Sequence, residues 1–180
     1  MATHSVETWL AAATQRFNDT GLSGIRVEAI ARDIGATKGS FYWHFASRQS
    51  LVDAVIESWE RRETENILAL ASEAGPAEER LAALFSLVTS RARGRHGELT
   101  LYADAEREGV LAAVERVTKR RVEYVADILG ELGFSRADAV DRATISVAVA
   151  VGIPHLAAGG WRGSGANLPT TLLRMTVADR

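Results

Sequence analysis

Thr37-Lys38-Gly39-Ser40-Phe41-Tyr42-Trp43-His44-Phe45 sets five aromatic or imidazole rings in a row behind four small or cationic residues. A helix offers its core an apolar stripe only a little over ~100° wide. Phe41 and Phe45, at i and i+4, share such a stripe, and Tyr42, Trp43 and His44 then point elsewhere. Each of those three carries a polar tip, which describes a surface built to touch something. Gly39 adds to this, because glycine inside a short helix costs ~1 kcal/mol relative to alanine. A position that bears that cost often needs its backbone close to a ligand. The bland alternative is a poorly made core helix with a chance run of rings.

Upstream of this stretch, Val6, Trp9 with Leu10, Ala13 and Phe17 follow helical spacing and predict a helix over Ser5–Asn18, ended by Asn18-Asp19-Thr20-Gly21. Val27, Ile30, Ala31 and Ile34 mark a second helix of about two turns, closed by Gly35, and Thr37 is a good N-cap for the next. Two short helices joined by a glycine-led turn describe a helix-turn-helix. Its second helix lies in the DNA major groove with its first residues at the bases. Thr37, Lys38, Gly39 and Ser40 fit that place: small side chains allow close approach, and serine, threonine and lysine all hydrogen-bond to DNA. Tyr42 and His44 can donate to phosphates, and Trp43 offers a flat apolar face with an N–H. Its role stays open between a base contact and packing at the phosphate edge.

Gly21-Leu22, the run from Arg26 to Phe45, and then Arg48 and Leu51 resemble the N-terminal DNA-binding domain of TetR-type transcriptional regulators, with the Lys-Gly-x-x-Tyr-x-His-Phe core as the specific part. The resemblance covers about 35 residues and implies that Thr37, Lys38, Gly39 and Ser40 face the bases or the groove. It likewise implies that Tyr42, His44 and Arg48 contact phosphates. Arg26 stands where the family usually starts the second helix with threonine or serine, so a capping hydrogen bond worth ~1 kcal/mol is lost. Arg26 either reaches a phosphate or is a solvated surface arginine.

Composition is that of a soluble globular chain: 180 residues, 47% apolar, 24% charged, three prolines and no cysteine. The missing cysteine excludes disulfides, thiolate metal sites and cysteine nucleophiles. The net charge of -2 does not announce a nucleic-acid binder. Residues 1–50 nevertheless hold five cations against four anions, so the acidic excess lies further on. Nothing reads as a signal peptide or as the ~18 apolar residues of a membrane span, and a cytoplasmic location without membrane contact is expected.

Beyond Ser47, a plausible N-cap, one long helix is expected up to Gly75-Pro76, carrying a solvated stretch at Glu60–Asn66; the family resemblance implies that it links the DNA-binding domain to the regulatory one. Ala77–Arg95 reads as a helix ending in a basic cluster (Arg91, Arg93, Arg95, His96), with a break at Gly97 and a short acidic segment over Glu98–Glu108. Val110–Gly130 is amphipathic, and its Lys119-Arg120-Arg121 run reads as a solvated face. Ser135 caps a helix whose stretch from Ala143 to Ile153 is apolar nearly all round, so it must be covered on more than one side. Pro154 is expected to kink or end it. A flexible loop over Gly159–Gly165 and a short helix over Leu168–Val177 follow. In the family, two helices near the C-terminus of each chain form a four-helix dimer interface, which implies a homodimer here through the C-terminal helices.

The expected architecture is all-α: a three-helix DNA-binding domain over residues 1–47 and a helical regulatory and dimerisation domain over 48–180. The expected function is sequence-specific DNA binding in transcription; the resemblance implies a repressor released from a palindromic operator by a small, mostly apolar organic effector. Phe85, Tyr102, Tyr124 and His155 are candidate ligand contacts, being mid-to-large side chains, most with polar tips, on core-forming helices. No metal, cofactor or catalytic residue is expected. The four histidines form no His-x-x-x-His pair, Gly163-Ser164-Gly165 lacks nucleophile-elbow spacing, and Lys38-Gly39-Ser40 inverts a phosphate loop. The alternative is a helical protein-interaction module that has lost DNA binding.

Overall fold

A computed structural model describes residues 5–90, 96–161 and 167–178. The cluster at Arg91, Arg93 and Arg95 and the loop residues from Arg162 to Gly165 lie outside the described residues. Helices α1 (Val6–Thr20), α2 (Val27–Ile34), α3 (Lys38–Phe41), α4 (Arg48–Glu60), α5 (Asn66–Ser72), α6 (Ala77–Ser90), α7 (His96–Asp104), α8 (Leu111–Glu131), α9 (Arg136–Ala158) and α10 (Leu168–Thr176) carry the fold. No strand occurs among the described residues, and the chain is all-α.

Local signals behave as the sequence suggests. Ser5 accepts from the Thr8 N–H at the start of α1, and Gly21, at φ 75°, stops it. Ser47 and Ser50 accept each other's backbone N–H groups at 3.1 and 3.2 Å, a reciprocal cap for α4. Ser135 accepts from Asp138 N–H and starts α9.

The described residues of Met1–Glu60 and Arg95–Val114 form one compact unit, and those of Arg61–Gly94 and Glu115–Arg180 form the other. In the first, Trp9, Phe17, Ile30, Phe41, Leu51 and Val55 are sealed from solvent. Phe41 meets Trp9 edge-on at 5.3 Å and stacks on Phe45 at 5.5 Å, so the two phenylalanines of the ring run anchor α3 to this core. Truncating Phe41 to alanine should cost about 3–5 kcal/mol. Helix α7 belongs to the same unit. Gly97 was expected to break a helix and instead sits buried in the first turn of α7. The reason is its approach to α1: a Cβ there would lie 1.9 Å from the Phe17 carbonyl oxygen, so only glycine lets the two backbones meet.

The second unit packs Leu68, Leu81, Phe85, Val125, Leu129, Ala139 and Leu172 into one apolar cluster. Two expectations hold only in part here. The stretch Arg61–Glu65 is a π-turn, and Thr64 within it is buried. Arg121 is not solvated: its Nε donates to Thr64 Oγ1 at 2.9 Å and its Nη2 to the Glu63 carbonyl at 3.0 Å. The widened turn frees a carbonyl from the helical ladder, and the arginine satisfies it. Lys119 and Arg120 do stay on the solvated side, beside Glu123 and Glu65.

Pro154 does not end α9, which runs on to Ala158. The helix is therefore 23 residues long, and by length and composition it is apolar enough to cross a membrane. The sequence expectation that no segment reaches that length rested on stopping the helix at the proline, and it is corrected. Only 17% of the helix's apolar window is buried, and Ile145 is 63% exposed.

Candidate nucleic-acid interface

The turn between α2 and α3 is built from three small features. Gly35, at φ 69°, lets α2 end in a left-handed step, and its N–H reaches back to the Ala31 and Arg32 carbonyls. Thr37 then takes an extended backbone and accepts the Ser40 N–H at 3.2 Å, while Ser40 Oγ donates to the Thr37 carbonyl at 2.8 Å. With its backbone groups satisfied in this way, α3 needs only one turn before Phe41 plugs it into the core.

This leaves a defined outer face. Thr37, Lys38, Gly39, Tyr42 and Trp43 are exposed, Trp43 at 88%, and Ser40 and His44 are half-buried. Tyr42 lies edge-on to Phe41 with its centroid 5.2 Å away, which fixes the ring while most of it stays in solvent. Nothing in the fold explains Gly39, because the nearest atom to a Cβ there would be Thr37 Oγ1 at 3.8 Å, an ordinary contact. The glycine is unneeded by the protein and open to whatever approaches from outside.

Lys38 is paired with Glu28 of α2, Nζ to Oε1 at 2.6 Å, with both side chains mostly in solvent. The lysine's hydrogen bond holds the Glu28 carboxyl below the usual carboxylate range, and Glu28 in turn raises Lys38 above the ordinary lysine value. Arg16 does the same for Asp33: its Nε donates at 2.7 Å across from α1 to α2 and lowers that carboxyl. Ten residues separate Glu28 from Lys38, so no spacing rule within one helix announces the pair.

The two flanking arginines behave differently. Arg26 is the N-cap of α2 without a side-chain capping bond, and among the described residues its exposed side chain reaches only the Ser23 carbonyl, at 3.5 Å. It remains free to move to an outside acceptor. Arg48 is engaged within its own unit, donating to the Leu22 and Ile25 carbonyls and to Glu108. Glu108 is buried, and at sixty residues' distance no motif or spacing points to it as a partner.

Of the four candidate ligand contacts, Phe85, Tyr124 and His155 lie in the second unit and Tyr102 in the first. Phe85 is core, and Tyr124 donates to the Leu68 carbonyl at 3.3 Å and shares a hydrogen bond with Ser72 at 2.8 Å. His155 is exposed, its Nδ1 2.8 Å from the Val151 carbonyl of its own helix. Tyr102 lies in the first unit, its hydroxyl buried without a hydrogen-bond partner among the described residues. Among the described residues no three His, Asp or Glu side chains gather as a metal site requires.

Residues 10–55, the stretch that contains this face, match the tetR family of bacterial regulatory proteins. Over this stretch the chain is similar to TetR-family regulators. Tetracycline repressor protein class C of Escherichia coli is 31% identical over 52 residues, which are 29% of this chain and 24% of that repressor. The chain thus matches about a quarter of its curated TetR relative. Solved structures share the whole fold. A TetR-like transcriptional regulator from Rhodococcus sp. RHA1 superposes with a TM-score of 0.75 at 23% identity, over 97% of this chain and 96% of its own. The reduced form of NemR from E. coli gives 0.74 at 18%, over 96% and 95%. FadR from Bacillus subtilis in complex with stearoyl-CoA gives 0.69 at 16%, over 98% and 100%. At these identities the likeness to the solved structures is one of fold, and residue roles have to be argued from this chain.

Proposed function

We propose that the protein is a sequence-specific, ligand-responsive transcriptional regulator, acting in the cytoplasm as a repressor. Residues 1–47 serve as its DNA-binding domain and 48–180 as its regulatory and dimerisation part. The observation that carries this reading is the outer face of α3: an unneeded glycine flanked by Thr37, Lys38 and Ser40, beside the exposed Tyr42 and Trp43. With α3 in the major groove, Thr37 to Ser40 approach base edges, and Tyr42 and His44 donate to phosphates on either side. Lys38 must leave Glu28 to do so. An exposed pair of this kind is loosely held, and phosphate or base acceptors replace it readily.

Two copies are needed to read a palindrome, with half-sites ~34 Å or a multiple apart. The exposed apolar side chains of α9 and α10, among them Ile145, Leu156 and Met175, are the surface we assign to that homodimer. The same exposure on a 23-residue helix is read as a partner face and not as a membrane span, because α9 also carries Asp138, Asp141 and Arg142. The effector is a small, mostly apolar organic molecule binding in the helical C-terminal part. One structural relative holds stearoyl-CoA, an apolar chain with a polar head. Binding would favour a conformer in which the two recognition helices no longer match the operator. Moving such an equilibrium from 1:99 to 99:1 takes ~5.5 kcal/mol of differential affinity.

The test is a Lys38→Ala, Tyr42→Ala double variant measured against a duplex that the wild-type protein selects from a random pool. Sequence-specific binding should disappear while the helical content and melting temperature stay. A double variant that binds as the wild type does would favour the interaction-module reading. A thermal-shift screen of small organic molecules then identifies the effector class, because a ligand of the native state raises its stability by mass action.

A further inference from the structure

Arg48 was expected at a phosphate, yet its guanidinium is spent inside the fold. Its Nε donates to the Ile25 carbonyl at 2.7 Å, and its Nη2 to the Leu22 carbonyl at 2.7 Å and to Glu108 Oε2 at 2.8 Å. Leu22 and Ile25 are buried and lead directly into Arg26, the N-cap of α2. The arginine therefore grips the backbone on which α2, and after it the α2–α3 turn, is hung. Glu108 is what holds the arginine there. Its side chain is only 9% exposed, against 36% for Arg48. Its other oxygen lies 3.5 Å from Arg107 Nε, and its backbone carbonyl accepts from Gln49 Nε2 at 3.3 Å. A carboxylate buried to this extent needs its partner, so the pair is costly to break.

The segment that brings Glu108 has a second attachment to the same unit. Gly97, at the other end of α7, presses on Phe17, and Thr100 Oγ1 would lie 2.8 Å from a Cβ at Gly21, where α1 ends. Residues 96–110 are thus fastened to α1 at one end and to the lead-in of α2 at the other.

We propose that Glu108 and Arg48 are positioning residues for DNA recognition: the buried carboxylate fixes the arginine on the Leu22 and Ile25 carbonyls, and this sets the placement of α2 and the recognition turn. This replaces the phosphate contact expected of Arg48, and it rests on the DNA-binding reading above. It has an unusual sign. On charge alone, removing an acid from a protein that binds a polyanion should tighten binding. Removing this acid should loosen it.

The experiment compares Glu108→Gln and Arg48→Lys with wild type on the selected duplex and on an unrelated duplex, across a salt series. Glutamine keeps the shape of Glu108, and lysine keeps the charge of Arg48 but cannot serve three acceptors in a fixed fork. Both variants are expected to lose about tenfold in specific affinity, the scale of one charge-assisted hydrogen bond. The salt slope should not change, and binding to the unrelated duplex should not weaken. Amide hydrogen exchange supplies a readout that needs no DNA: Ala29 and Ile30, which donate to the Arg26 carbonyl, should exchange faster in Glu108→Gln, with the second unit unaffected. Tighter binding by Glu108→Gln, full retention of specific affinity by Arg48→Lys, or unchanged exchange at the start of α2 would each overturn the proposal. So would a salt slope that steepens by about 0.9 in Glu108→Gln, the signature of an arginine released to a phosphate. If the wild-type protein selects no duplex, the DNA-binding reading fails by itself, and the exchange measurement still decides whether Glu108 positions α2.

Discussion

Replacing Gly39 with alanine separates what the fold needs from what the interface needs. Gly39 lies in helical backbone at the second position of α3, and an added Cβ would meet nothing closer than Thr37 Oγ1 at 3.8 Å. The protein should therefore accept the methyl group without strain. Removing glycine's conformational freedom from the unfolded chain should stabilise by ~0.5–1 kcal/mol. For a chain of this size that corresponds to a rise of about 1–4 °C in melting temperature. Binding should move the other way. A methyl group on the one residue of α3 without a side chain holds the helix off the groove floor. The bonds at risk are those of Lys38 and Ser40 to the bases, at ~1–3 kcal/mol for a good contact. A tenfold to hundredfold loss in specific affinity is expected on that scale. Differential scanning calorimetry and fluorescence anisotropy with the selected duplex measure the two halves. An alanine variant that is more stable and binds undiminished would refute the close approach assigned to this glycine.

Other perturbations address the charges and the partner face. Glu28→Gln frees Lys38 without changing its surroundings, and anisotropy at low salt should show affinity rising about two- to fivefold, with the gain vanishing as salt screens it. Asp33 titrates below the ordinary carboxylate value because Arg16 bonds to it. A depressed carboxyl stabilises the fold above its unfolded value and loses that effect as pH falls through the folded one. Melting temperatures of Asp33→Asn should therefore lie below wild type at about pH 7, and the gap should narrow as pH falls below the ordinary aspartate value of about 3.9. Ile145→Glu sets a charge on the exposed face of α9, and sedimentation should show a dimeric wild type and a monomeric variant. A wild type that sediments as a monomer would remove the basis for the palindrome.

Features with local causes are legible in the amino-acid sequence. Ser5, Thr37 and Ser135 each cap the helix that follows within three residues, and Gly35 closes α2 one step after its last residue. The ring run divides by role for the same reason, since Phe41 and Phe45 share a face by helical spacing alone. What a linear reading misses depends on contacts far along the chain. Gly97 looks like a helix breaker until Phe17 is seen against it. Arg121 looks solvated until the π-turn at Glu63 and Thr64 offers it a carbonyl and a hydroxyl. Arg48, expected at a phosphate, also pairs with Glu108, sixty residues away, which no spacing announces. Of the two outcomes expected at Pro154, a kink or an end, the structure rules out the end, since α9 runs on to Ala158. The effector site is less legible still: it depends on which side chains several helices bring together, and no spacing rule reports that.

Selection of bound duplexes from a random pool by the purified wild-type protein tests the central claim most directly. One enriched sequence should emerge with two inverted half-sites, their centres one helical turn or a whole multiple of it apart, ~34 Å in the first case. Retention should fall steeply between low and moderate salt, as it does for a protein held largely by phosphates. A pool that shows no enriched sequence after repeated rounds, or retention that ignores salt, would contradict it.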